Sequence, residues 1–252
     1  MNGSILYLGD TSLETAAAYL AGVMHHAGWN FRYLPSDQLV TPALLEERRS
    51  LYILSDYPSA QFPTELQEQM LLHVKAGSGL LMCGGWESFH GLGGDWGGTP
   101  VGEILPVEIS PTDDRQNCDH PVLIRRRCEH PILADLPWES RPPLIGGFNR
   151  VTAKSDATVL LEAEHFSVER DGEKFQFTPT ACDPLLVVGK YGTGRIAAFM
   201  TDVAPHWVGP LVDWGESRIS AQANGAEEIE VGNRYDQFLR QLIGWVKSNE
   251  SS

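Results

Sequence analysis

Gly77-Ser-Gly-Leu-Leu-Met-Cys-Gly-Gly-Trp-Glu-Ser-Phe-His90 is an apolar run that ends in a cysteine, passes two glycines and continues into what reads as a turn of helix. A short apolar run bounded by glycines is the pattern of a buried strand. Several α/β enzymes present a nucleophile as a thiol or hydroxyl at such a strand-to-helix bend, with small residues beside it. Cys83 is therefore either a candidate nucleophile or a small buried hydrophobe that ends a core strand, which is the common fate of a free cysteine.

Upstream of this stretch, Ile5 to Leu8 is a strand. Apolar residues then recur at Leu13, Ala16, Ala17, Leu20, Val23, Met24 and Ala27, one face of a helix. Phe31 to Leu34 and Leu51 to Leu54 are further strands, with a polar helical segment around Pro42 to Arg49 between them. Pro63-Thr-Glu opens a helix whose apolar side carries Leu66, Met70 and Val74, and Leu80 to Cys83 follows as a strand. Strand and helix alternate throughout this half, which predicts a parallel, doubly wound sheet. Ligands bind such sheets beyond the carboxyl ends of the strands, where Cys83 falls.

The second half reads differently. Gly91 to Gly98 is a glycine-rich loop, and Thr158 to Glu162, Lys174 to Phe177, Leu185 to Val188 and Arg195 to Thr201 read as strands. Asp171-Gly172 and Gly192-Thr-Gly194 are hairpin turn signals. Asn224 to Val231 is acidic without helical periodicity and reads as a loop. Tyr235, Phe238, Leu239, Leu242, Ile243 and Val246 form the apolar face of a closing helix. The expectation is one domain over residues 1–252, with strand-rich additions at about 107–190.

With 19 Lys plus Arg against 33 Asp plus Glu, the formal charge is −14, which disfavours nucleic acid and anionic lipid as partners. Arg125-Arg-Arg127 is too short a basic run to change this and reads as a solvated strand edge. No export signal or bilayer-length apolar segment is read, so neither a membrane partner nor an exported protein is expected. Cys83, Cys118, Cys128 and Cys182 are too dispersed for a disulfide framework, which fits a cytoplasmic protein.

The segments Gly79-Leu-Leu-Met-Cys-Gly-Gly-Trp-Glu-Ser-Phe89, Gly98-Thr-Pro-Val-Gly-Glu-Ile-Leu-Pro-Val107, His130-Pro-Ile-Leu133 and Gly194-Arg-Ile-Ala-Ala-Phe-Met-Thr-Asp-Val-Ala-Pro-His-Trp207 together resemble the glutamine amidotransferase-like proteins. These are relatives of class I glutamine amidotransferases and of ThuA-like proteins. The resemblance implies a flavodoxin-like doubly wound α/β sheet, mostly parallel, with helices on both faces and extra strands and hairpins in the second half. It places Cys83 at the nucleophile position and His206 at the histidine of a Cys-His-Glu triad, with Gly84 and Gly85 near the oxyanion. Three departures imply a degenerate triad: Trp207-Val208 follows the histidine where the family has Pro-Glu, Leu81 replaces the elbow glycine, and Ser55-Asp-Tyr-Pro58 replaces a Gly-Gly-Pro type loop. Glu87 is the candidate replacement carboxylate, with Asp202 as the other group able to orient His206.

Two functions follow. One is a small-ligand or partner-binding domain whose ligand, amide or sugar-like, contacts Gly84, Gly85, Trp86, Asp202 and Trp207. The other is an active cysteine amidohydrolase using Cys83 and His206. Trp86, Trp96, Trp207 and Trp214, with carboxylates nearby, suit a polar ligand. Cys118-Asp-His120 and Cys128-Glu-His130 offer four zinc-type ligands, but no turn residue in Val122 to Arg127 folds one pair onto the other, so neither a metal nor a cofactor is assigned. Neither glycine-rich segment has the spacing of a nucleotide-binding loop. A homo-oligomer is compatible with the sequence.

Overall fold

The computed structural model describes residues 4–247. The first half lays down β1 (Ile5–Gly9), α1 (Ala17–His26), β2 (Phe31–Leu34), β3 (Leu51–Ser55), α2 (Thr64–Lys75), β4 (Gly79–Cys83) and α3 (Pro100–Ile104). The second half adds β5 (Val107–Glu108), β6 (Arg115–Arg126), β7 (Leu144–Asn149), β8 (Thr152–Ala153), β9 (Thr158–Asp171), β10 (Lys174–Tyr191) and β11 (Gly194–Phe199). α4 (Pro205–Val208), β12 (Arg218–Ala221), β13 (Ile229–Gly232) and α5 (Asn233–Val246) complete it.

A nine-stranded sheet runs β2-β1-β3-β4-β11-β10-β9-β6-β7. Its first five strands are parallel and its last four join antiparallel. The parallel part has the doubly wound, flavodoxin-like order. Its strands are apolar because they are covered on both sides: every residue of β1, β3 and β4 is buried. α1 packs with α5 and α2 with α3. The face of α5 made by Tyr235, Phe238, Leu239, Leu242, Ile243 and Val246 is wholly buried, and Phe238 stacks edge-on against Phe199 of β11.

The register positions the site. Gly9 pairs with Ser55, Ser55 with Cys83 and Cys83 with Phe199, so four neighbouring parallel strands end level. Whatever follows each strand is delivered to one rim.

Several sequence expectations need correction. No helix follows Cys83: Gly84 to Gly98 is a chain of turns and bends, with Phe89, Gly91, Gly93 and Asp95 at positive φ. These left-handed residues interrupt any helical run. The first helix begins at Ala17 rather than near Leu13, and Pro42 to Arg49 holds only a 3-10 turn at Pro42–Leu44. The acidic loop contains β13, which pairs antiparallel with β12. Lys174 to Phe177 and Leu185 to Val188 belong to one strand, whose two prolines, Pro179 and Pro184, sit at register shifts where a missing N–H is tolerated. Arg125 and Arg126 lie on β6, an interior strand. Arg125, Arg126 and Arg127 pair with Glu164, Glu129 with Glu139, and Glu162 respectively.

Candidate functional site

Three residues just beyond the parallel strands carry carboxylates to the common rim: Asp10 after β1, Asp56 after β3 and Asp202 after β11. Asp10 and Asp56 adopt left-handed backbone, φ 41° and 48°, which aspartate accepts better than most residues. The Asp10 N–H donates to the Ser55 carbonyl at 2.9 Å, locking the two strand ends together. Asp10 Oδ2 accepts from the Tyr7 hydroxyl at 3.2 Å and its carbonyl from Tyr33 at 2.7 Å. The Asp56 N–H donates to Ser88 Oγ at 3.0 Å, and Asp56 Oδ1 accepts the Glu87 N–H at 2.7 Å. Gly85 is a glycine of necessity: a Cβ there would lie 2.1 Å from Asp56 Oδ1.

Cys83 ends β4 among these acids and is wholly buried. Burial foremost, then the charges of Asp202, Asp10 and Asp56, pushes its thiol well above the usual range. A thiolate is favoured by cations, a neighbouring imidazolium or a helix N-terminus. This thiol has carboxylates instead, and turns rather than a helix follow it.

His206 opens α4 and is half exposed. Its Nε2 lies 2.6 Å from Oδ2 of Asp202, a fully buried residue whose Oδ1 accepts the N–H groups of Val203 and Ala204 at 2.5 and 3.0 Å. Oδ2 is itself buried, with the His206 ring as its neighbour within hydrogen-bonding distance. Contact with Asp202 is the chief influence that raises the His206 pKa, against partial desolvation. Burial, and next the Asp202 charge, raises Asp56 to about 7; burial, then Asp202 and Asp56, raises Asp10 well above the carboxylate range. Of the two carboxylates considered for His206, Asp202 is the one in contact; Glu87 is half buried and hydrogen-bonded to Ser36.

The segment after Cys83 is organised from below by Asn149, fully buried at the end of β7. Asn149 Oδ1 accepts the Gly85 N–H at 2.9 Å, while Nδ2 donates to the Gly85 carbonyl at 3.2 Å and to Asp114 Oδ1 at 2.7 Å. Asp114 in turn accepts the N–H groups of His90 and Gly91. The Gly84 N–H donates to the carbonyls of Phe199 and Thr201, at 2.7 and 3.0 Å, so it is occupied by the neighbouring strand end.

The tryptophans divide. Trp86 is exposed, with the Arg115 guanidinium 4.9 Å from its ring centre. Trp96, Trp207 and Trp214 are buried and donate their Nε1–H to Tyr57, Asn117 and Arg141 respectively, with Trp207 packed against Gly147. They act as packing residues with satisfied donors. Cys118 lies on β6 and Cys128 just past its end. Cys128 Sγ contacts the Val159 carbonyl, and His130 Nδ1 accepts the Ile132 N–H.

Sequence reading missed Asp10, Asp56, Asn149 and Asp114. The first two had a signal, since each directly follows an apolar strand of the parallel half, at the end where ligands bind. Asn149 and Asp114 had none, because their partners are remote in sequence.

A family model described as "Putative glutamine amidotransferase" matches residues 7–221. No curated protein matches the chain. Among solved structures, two cytoplasmic proteins of Salmonella typhimurium, the second from strain LT2, are each 24% identical over 97% of this chain. They give TM-scores of 0.75 and 0.74 and are covered over 99% and 100% of their own lengths. A ThuA-like protein of Bacteroides uniformis is 12% identical, with TM-score 0.53, over 99% of this chain and 93% of its own. At these identities the likeness is one of fold. No helix among the described residues is long and apolar enough to cross a membrane.

Proposed function

The chain belongs to the glutamine amidotransferase-like family, and from that premise we propose a member whose Cys83 does not act as a nucleophile and whose strand-end rim binds a small polar ligand. Asp202, His206 and Glu87 are the ligand-contacting groups and Trp86 flanks the opening, while Gly84 and Gly85, buried with their N–H groups taken by Phe199, Thr201 and Asn149, shape the turn that carries Trp86 and Glu87. Trp207 contributes from beneath, by fixing α4 and hence the His206 ring.

The observation that carries this reading is the setting of Cys83, wholly buried with three acidic side chains, and no cation, raising its pKa. Even an unperturbed thiol is only about 3% ionised at pH 7, and this one is displaced further in the unreactive direction. The amidohydrolase alternative gains Asp202 as the carboxylate on His206, but Asp202 also opposes the thiolate which that mechanism requires. A rim of acids and one imidazole instead suits a ligand rich in hydrogen-bond donors, such as an amide or a polyhydroxylated compound. Four free cysteines fit a cytoplasmic site of action.

A thermal-shift screen of amides, amino acids and sugars tests the reading. A ligand at a hundred times its Kd adds about 2.7 kcal/mol, roughly 5 to 10 °C for a chain of this size. The expected hit keeps its shift in Cys83→Ala and loses it in His206→Ala. Glutamine hydrolysis abolished by Cys83→Ala would overturn the proposal.

A further inference from the structure

Asp56, Asp202 and His206 come from two strand ends and a short helix. Yet one carboxylate oxygen of each aspartate and one ring nitrogen lie within 4.8 Å of one another. Two ligands of a tetrahedral ion, each at about 2.1 Å, stand about 3.4 Å apart, so the widest pair closes by at most about 1.4 Å and the Asp202–His206 pair, 2.6 Å apart, opens by somewhat under about 1 Å. Both carboxylates are anchored from outside: Asp56 Oδ1 by the Glu87 N–H, and Asp202 Oδ1 by the N–H groups of Val203 and Ala204. Such outer hydrogen bonds are what hold a ligating carboxylate in place.

A separate observation points to what is missing. Asp202 is fully buried, and beside its Oδ2 stands only the half-exposed His206 ring, 2.6 Å away, with no other hydrogen-bond partner among the described residues. A buried carboxylate oxygen held by a single ring keeps unused acceptor capacity. This oxygen and the ring nitrogen are two donor atoms that a cation would share in place of the proton between them.

We propose that Asp56, Asp202 and His206 bind a divalent transition-metal ion of the Zn²⁺ or Mn²⁺ class. Two carboxylates and one imidazole form a mixed oxygen and nitrogen set, which suits these ions better than Ca²⁺ or Cu⁺. Three protein ligands leave positions open, as in metal sites that also engage a small molecule. Gly85 is required because any side chain there displaces Asp56. The inference rests on the reading that the rim, and not the thiol, is the binding site, and it identifies the cation through which that rim holds its ligand.

The test uses the full chain, stripped with chelator, dialysed and titrated calorimetrically with ZnCl₂ and with MnCl₂. One site per chain is expected for at least one ion, weakened roughly tenfold or more in His206→Ala and in Asp56→Asn. It should be unchanged in Cys118→Ser/Cys128→Ser, which controls for stray thiol binding. His206 is half exposed, so its removal leaves the core intact, and circular dichroism verifies this. No saturable binding of either ion up to about 1 mM, or binding unaltered by both rim variants, overturns the proposal. If the metal fails while the thermal-shift ligand still depends on His206, the metal alone is refuted; if both fail, the rim is.

Discussion

Gly85 is the residue whose replacement speaks most directly about the rim. Its φ of 151° and the 2.1 Å approach of Asp56 Oδ1 leave no room for a methyl group. Gly85→Ala is expected to lose about 2–4 kcal/mol, measured by urea unfolding, and with it the Asp56 position. Asp56 also sets a pH dependence. Its pKa is raised to about 7 in the fold, against about 3.9 unfolded, so the folded chain holds a proton that the unfolded chain releases. That contribution is complete below the unfolded value and is lost as pH rises through the folded one. His206, also raised, adds in the same direction above its unfolded value of about 6.5. The melting temperature of metal-free protein should therefore fall from about pH 5 to pH 8 and fall less in Asp56→Asn. Cys83 and His206 were legible by their place in a family pattern, and Asp202 as a possible orienter of the ring. Asp56 was marked only by its place directly after an apolar parallel strand, since the groups that hold it, the Glu87 backbone and the Ser88 side chain, are remote in sequence.

At the scale of elements, the parallel half was readable because each strand is a continuous apolar run that both helix layers cover. The segment after Cys83 was not, because its conformation is decided by Asn149 and Asp114 rather than by its own propensities. Asn149→Ala leaves the Gly85 N–H without its buried partner and removes one of the two donors to Asp114 Oδ1. It is expected to cost about 2–4 kcal/mol, with faster amide exchange at His90 and Gly91 as the specific signature. The β12 and β13 pair was missed for a related reason: each strand has only four residues, and they gain their order from pairing, not from pattern.

The molecule as a whole joins a level-ended parallel sheet to a long antiparallel extension. From Ser167 to Ala181 the β9 and β10 hairpin is exposed on both faces, Phe175 and Phe177 included. Two strands without a covering layer are marginally stable, so amides in this arm should exchange orders of magnitude faster than those of Leu80 to Cys83. Equal protection in both would mean that the arm is covered in solution. The same burial contrast tests the account of the site. In the folded protein, alkylation by iodoacetamide near pH 8 can be followed cysteine by cysteine with peptide mass spectrometry, comparing buried Cys83 with exposed Cys182. The carboxylate-ringed thiol should react at least about a hundredfold more slowly than Cys182. Labelling of Cys83 ahead of Cys182 would mean an activated nucleophile and would contradict a site built on Asp56, Asp202 and His206.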